Sequence, residues 1–257
     1  MGPMTLSHDV AGDGPAVVLL HSGVCDRRMW DPQWAALTAA GRTVVRCDLR
    51  GFGESPAADK PCDDADDVRD LLDTLGVERA VVVGSSFGGA VALEVAARWP
   101  DRVTGLLLLC AASPVRQEKS PEFRAVLDRE DALIEGGDVA GAVELMVDTW
   151  VGPEAGDTVR EAVRVMQRRA YELQLAAAEV PSLEVDFDIA AAKAPCLAVS
   201  GAHDLPDFRR IAARLPDLLP DARHVELPWA GHLPSMERPA EVTRMMLDFL
   251  RDPRAAV

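Results

Sequence analysis

Six short apolar runs punctuate the chain: AVVLLHSG (16–23), TVVRCD (43–48), AVVVGS (80–85), LLLLCAA (106–112), CLAVSG (196–201) and HVELPW (224–229). They are rich in β-branched residues and leucine, and most are apolar on both faces. That pattern fits strands buried inside a parallel sheet rather than strands with one wet face. Helical patterns lie between them, at 29–40, 64–75, 87–98, 207–219 and 237–250. Strand alternating with helix predicts βαβ units and a doubly wound α/β sheet. Residues 4–9 add an antiparallel edge strand, joined to the next through the turn GDG at 12–14.

The alternation stops between about 114 and 193, where no clean strand occurs. Val139, Val143, Met146, Val147 and Trp150 recur instead at helical spacing, as do Val163, Met166, Ala170 and Leu173. The chain therefore divides into a core formed by 1–113 and 194–257 and a helical insertion over 114–193.

Composition narrows the function. A length of 257 residues is ample for one such core. The formal net charge of -15 disfavours nucleic acid and anionic membrane as partners. Five cysteines, none close to another in sequence, argue against a disulfide framework and for a reducing compartment. With neither a secretory signal nor an apolar run of membrane-spanning length, the expected location is cytoplasmic. There is no C-x-x-C or H-x-x-x-H spacing and no G-x-G-x-x-G opening a helix, so neither a metal nor a nucleotide or flavin cofactor is expected.

The chemistry concentrates in AVVVGSSFGGAVALEVAARW (80–99). G-x-S-x-G requires glycine two residues either side of the serine. Ser86 has Gly84 and Gly88 there; Ser85 has Val83 and Phe87 and fails. A serine on a sharp strand-to-helix turn leaves no room for a side chain at either glycine. The strand AVVV precedes this serine and a helix pattern follows it.

Together with LLHSGVCDRRMW (19–30), CDLRGFGES (47–55), SGAHDLPD (200–207) and GHLPSMERP (231–239), this segment resembles the α/β-hydrolase superfamily over essentially the whole length. The resemblance implies a mostly parallel sheet of about eight strands, with a helical cap inserted after the sixth. It also implies roles: Ser86 as nucleophile, His232 as general base and Asp204 as the acid that orients the imidazole. Asp207 reads instead as the N-cap of the next helix. His21 reads as structural, and Glu54 as a salt-bridge or turn contact. The backbone N–H of Phe87 and that of Gly23 would hold the oxyanion, with Val24 as the alternative to Gly23 because Ser22 replaces a glycine common in relatives. Val24, Cys25, Trp30 and Trp150 are placed near the pocket, Cys25 as a wall residue rather than a second nucleophile.

A serine nucleophile speaks against the haloalkane dehalogenase and epoxide hydrolase branches. The expected activity is hydrolysis of a small ester or lactone through an acyl-enzyme, and HSGVCDRRMWDPQ (21–33) is similar to 3-oxoadipate enol-lactonase-like members. A C–C bond hydrolase or a perhydrolase (haloperoxidase-like) would use the same three residues. A ligand-binding protein without turnover is the alternative of another class. A dicarboxylate substrate would want a buried cation, with Arg124, Arg129 and Arg164 as candidates, and a homodimer stays open.

Overall fold

Apolar runs this dense demand cover on both faces, and the chain supplies it with helices. In the computed structural model, which describes residues 6–113, 118–178, 180–181, 183, 185–252 and 254, the strands are β1 (His8–Ala11), β2 (Ala16–Leu20), β3 (Thr43–Cys47), β4 (Ala80–Ser85), β5 (Val103–Leu109), β6 (Cys196–Gly201) and β7 (Ala222–Leu227). They form one sheet in the order β1-β3-β2-β4-β5-β6-β7. Only the β1–β3 pair is antiparallel. Every position of β2, β4, β5 and β6 is buried. Alternate residues serve opposite faces: Val17 and Leu19 enter one apolar cluster, Val18 and Leu20 the other.

The edge strand differs from expectation in two respects. It begins at His8 rather than near residue 4, and residues 4–5 lie outside the described part. It also pairs with β3, from His8↔Cys47 to Ala11↔Val44, and forms no hairpin with β2. Gly12 and Gly14 explain why. A Cβ on either would run into the backbone of Gly41 or Arg42, so the GDG segment crosses over the start of β3 and delivers β2 to its far side. The described sheet has seven strands rather than about eight. The insertion accordingly follows the fifth strand, not the sixth.

Helices α1 (Asp31–Ala39), α2 (Asp64–Thr74), α3 (Phe87–Arg98), α7 (Pro206–Leu218), α8 (Pro234–Glu237) and α9 (Pro239–Leu250) cover the sheet. The predicted 29–40 helix is split: Arg27–Trp30 is a 3₁₀ turn, and α1 starts afresh with Pro32 in its first turn. Between β5 and β6 lie α4 (Pro121–Glu135), α5 (Val139–Trp150) and α6 (Asp157–Leu175). Their buried stripes include Val143, Met146, Val147 and Trp150 on α5 and Val163, Met166 and Ala170 on α6. Leu173 is only half-buried. The start of the predicted insertion, 114–117, lies outside the described residues.

Asp207 is not an N-cap. Leu205 holds that position, and Pro206 and Asp207 are already helical. The Asp207 side chain instead reaches the inserted helices. Its Oδ1 accepts the Ser120 N–H at 2.8 Å and its Oδ2 the Ser120 hydroxyl at 2.5 Å, with both residues buried. Ser120 caps α4 by accepting the Phe123 N–H at 3.1 Å, so one carboxylate ties the start of α4 to the start of α7. Burial alone would raise the Asp207 pKa; the Ser120 hydrogen bonds and Arg210 outweigh it and hold the group below its usual value. A depressed carboxylate stabilises the fold above its unfolded pKa of about 3.9 and loses that contribution as pH falls through the folded value. Asp207→Asn should cost about 1–3 kcal/mol at pH 7. In urea unfolding, the gap from wild type should narrow as pH drops below about 4.

Candidate active site

In a parallel sheet the loops after the strands emerge along one edge, where ligands bind in α/β folds. Here the loops after β2, β4, β6 and β7 carry Gly23, Ser86, Asp204 and His232 respectively. The sequence-predicted site residues are thus brought to one edge of the sheet.

Ser86 stands between the last residue of β4 and the first of α3 with φ 50° and ψ −112°, a conformation that side chains beyond glycine rarely adopt. Its N–H donates to the Leu109 carbonyl at 3.0 Å. Its own carbonyl accepts from Gly89 (2.9 Å), Ala90 (3.1 Å) and Ala112 (2.9 Å). The glycines of the motif are close approaches: a Cβ on Gly88 would lie 2.5 Å from the carbonyl oxygens of Leu20 and His21, and one on Gly89 2.6 Å from the Ala111 Cβ. A Cβ on Gly84 would strike the Gly88 carbonyl. Ser85 is fully buried in β4, and its hydroxyl has no partner among the described residues.

The turn after β2 closes with the Cys25 N–H on the Ser22 carbonyl at 2.9 Å, leaving Gly23 and Val24 at its tip. Gly23 faces the Phe87 Cβ, 3.5 Å from where its own Cβ would be. The N–H groups of Gly23 and Phe87 therefore sit on neighbouring segments. His21 steadies this turn. Its Nε2 accepts the Leu49 N–H at 2.9 Å, so Nδ1 carries the proton and donates to the Ser22 carbonyl at 2.8 Å. Burial pushes its pKa down, consistent with a neutral ring. Glu54 pairs with Arg27 at 2.5 Å, the salt bridge its motif suggested.

Asp204 and His232 meet across the loops after β6 and β7. Nδ1 of His232 donates to Oδ2 of Asp204 at 2.8 Å, and both side chains are almost wholly buried. Oδ1 of Asp204 accepts the Leu205 N–H at 2.7 Å, which fixes the carboxylate plane. The two loops are zipped together by Ala202 N–H on the Leu227 carbonyl and His203 N–H on the Ala230 carbonyl, each at 2.9 Å.

Trp150 and Phe208 hold the imidazole by contact. Each ring centroid lies 4.4 Å from that of His232, and Phe123 adds an edge-on contact to Trp150. Of the four pocket residues expected from sequence, Trp150 is the one set against His232. Trp30 is fully buried in the core. Cys25 is fully buried in the core with its thiol 3.8 Å from the Met236 sulfur, and burial pushes its pKa far up. Val24 is almost fully buried in the same cluster.

Phe208 and Cys110 escape the sequence reading. Phe208 looks like one more apolar residue of α7. Cys110 has φ 48°, and its sulfur lies within 4.8 Å of the Asp204 and His232 ligand atoms. Only a non-glycine residue in the left-handed region distinguishes it, and sequence does not display that.

Arg164 pairs with Glu144 and Glu161 near the surface, and Arg124 and Arg129 are exposed, so none of the three is a buried cation. A cleft of about 470 Å³ between α6 and the loops after β2 and β3 gathers Arg27, Arg28, Arg164, Arg168 and Arg169, but five carboxylates line it too. It offers no excess of positive charge.

A serine on a strained strand–helix turn, a buried Asp–His pair and a mostly parallel sheet define a hydrolase class, and sequence comparison agrees. The signature of the alpha/beta hydrolase family matches residues 17–245, and the chain belongs to that family. It is 33% identical over 257 residues to the pimeloyl-acyl-carrier-protein methyl ester esterase of Chromobacterium violaceum, covering 96% of this chain and 98% of that one. A Variovorax paradoxus protein named as a candidate carbamate hydrolase is 32% identical over 256 residues, with 96% of each chain covered. The crystal structure of the enol-lactonase from Burkholderia xenovorans LB400 superposes with a TM-score of 0.79 at 28% identity, again over 96% of each chain.

The glycine contacts give a direct test. Gly88→Ala must push α3 off the Leu20 and His21 carbonyls, an overpacking cost of about 1–3 kcal/mol or more. Urea unfolding should show that loss, whereas Gly76→Ala, at a turn with nothing within 4 Å but φ +68°, should cost less than Gly88→Ala.

Proposed function

We propose that the protein hydrolyses a small carboxylic ester or lactone through an acyl-enzyme on Ser86. The observation that carries this reading is the buried 2.8 Å His232–Asp204 hydrogen bond on the sheet edge where Ser86 occupies its strained turn. Asp204 holds the proton on Nδ1, which leaves Nε2 as the basic nitrogen. Nε2 takes the Ser86 proton as Oγ attacks the carbonyl carbon. The N–H groups of Phe87 and Gly23 receive the oxyanion. Collapse expels the alcohol, or opens the lactone ring, with the proton returned from His232. Water then attacks the acyl-enzyme with His232 again as base, and Ser86 regains its proton.

The inserted helices act as a cap over this edge, with Trp150 as the wall beside His232. Two comparisons support the substrate class: one relative is named as a methyl ester esterase, one structural neighbour as an enol-lactonase. A cytoplasmic setting is supported by five free thiols, four of them buried. No helix among the described residues is long and apolar enough to cross a membrane.

Covalent labelling with a fluorophosphonate should place one adduct on Ser86 by peptide mapping, and Ser86→Ala should take none. Asp204→Asn should lower kcat by up to about 10⁴-fold; wild-type turnover in that variant would assign the acid elsewhere. A panel of methyl esters, γ-lactones, carbamates and β-diketones separates ester or lactone cleavage from the other acyl chemistries and from C–C hydrolysis. Peroxide-dependent halogenation tests the perhydrolase alternative. Tight retention of a lactone without turnover would point to a binding protein.

A further inference from the structure

The segment after β7 holds a half-buried carboxylate that the proposed mechanism does not use. Glu237 sits at the end of the one-turn helix α8, and its side chain folds back on the loop carrying His232. Its Oε2 accepts the Gly231 N–H at 2.8 Å and its Oε1 the Leu233 N–H at 2.9 Å. These are the N–H groups of the two residues that flank His232. The backbone of Gly152, just past the end of α5, packs against the same carboxyl, and its N–H favours the charged form. A Cβ on Gly152 would collide with that carboxylate and would lie 2.7 Å from the Gly231 nitrogen. Two residues upstream of Gly152, Trp150 packs on the His232 ring at 4.4 Å.

We propose that Glu237 is a positioning residue for the hydrolysis, clamping the backbone on both sides of His232 and fastening it to the end of α5, so that the imidazole and Trp150 are held as one unit. This rests on the reading of His232 as the base. Two hydrogen bonds on one carboxylate, with the Gly152 backbone packed against it, restrict both rotation and translation of the loop, which a single hydrogen bond does not. Asp204 grips the ring through Nδ1; Glu237 grips the main chain from which the ring hangs.

The clamp also contributes charge. The ionisable groups facing His232 are Asp204, Glu237 and the Cys110 thiol; Trp150 and Phe208 are uncharged. Arg238 turns outward to Glu154 at 2.5 Å and Glu241 at 3.0 Å. Burial raises the Glu237 pKa, and the three N–H groups and His232 oppose the rise.

Glu237→Gln keeps the shape but removes the charge and turns an NH₂ toward one of the two donors. Glu237→Asp keeps the charge and shortens the reach. With concentrations normalised by fluorophosphonate titration, both variants should lose kcat, by up to about 10²-fold as expected for misplacement of about 1 Å, with KM near wild type. A merely structural carboxylate would lower Tm and the titratable fraction but leave the normalised kcat at the wild-type value, and that result overturns the proposal. Should Glu237→Gln not fold, a wild-type kcat in Glu237→Asp overturns it equally. The downfield NMR resonance of the His232 Nδ1 proton is a readout independent of turnover: it should persist in Ser86→Ala and broaden or vanish in Glu237→Gln. Wild-type protein that takes no fluorophosphonate would defeat the proposed function while leaving the NMR comparison to decide the clamp.

Discussion

The left-handed backbone at Ser86 is the constraint around which the rest of the edge is arranged. Such a conformation costs of order 1–3 kcal/mol and persists only where its surroundings over-determine it. Four hydrogen bonds do so: one from the Ser86 N–H to the end of β5, and three into its carbonyl from α3 and from the chain leaving β5. Each needs β4, β5 and α3 in mutual register. The flanking glycines let α3 come near enough to close the set, against the carbonyls of Leu20 and His21. Strands β2, β4 and β5 and helix α3 therefore converge on one strained peptide, and their dense apolar burial supplies the energy that holds it.

A second layer of order concerns His232. Its ring is fixed from three sides by different forces: a hydrogen bond to Asp204, and apolar contact with Trp150 and Phe208. Those contacts come from a loop, an inserted helix and α7. An imidazole in such surroundings has little rotational freedom left to lose, so its ordering cost is met during folding. Low solvent access also keeps the Asp204–His232 hydrogen bond in a weak dielectric, where it is strong.

What could be read in advance follows a simple physical division. Strands β2, β4, β5 and β6 were legible because burial on both faces writes an unbroken apolar run. Ser86 was legible because its turn has steric demands that only glycine meets at 84 and 88. The partner of β1 was not, since the choice between β2 and β3 depends on the 12–14 segment crossing β3, a contact between residues far apart in sequence. Asp207 misled for the same reason: an acidic residue at a helix start fits a local cap, while its actual partner, Ser120, is 87 residues away. Trp30 shows that a large aromatic near a motif says nothing of the direction it faces. Phe208, Cys110 and Glu237 carry no local signature at all, because their roles exist only once β5, β6, β7 and α5 lie side by side.

Among the links between the inserted helices and the core, two use carboxylates of the core. Ser120, at the entry to α4, hangs from Asp207, three residues past Asp204. Gly152, at the exit of α5, packs its backbone against the carboxyl of Glu237, five residues past His232. Both carboxylates meet main chain of the insertion, so they recognise backbone more than side-chain identity. The insertion thus resembles a cartridge with two standard fittings. Its apolar residues can drift in sequence, provided a hydroxyl residue starts one helix and a residue without a side chain follows the end of the next.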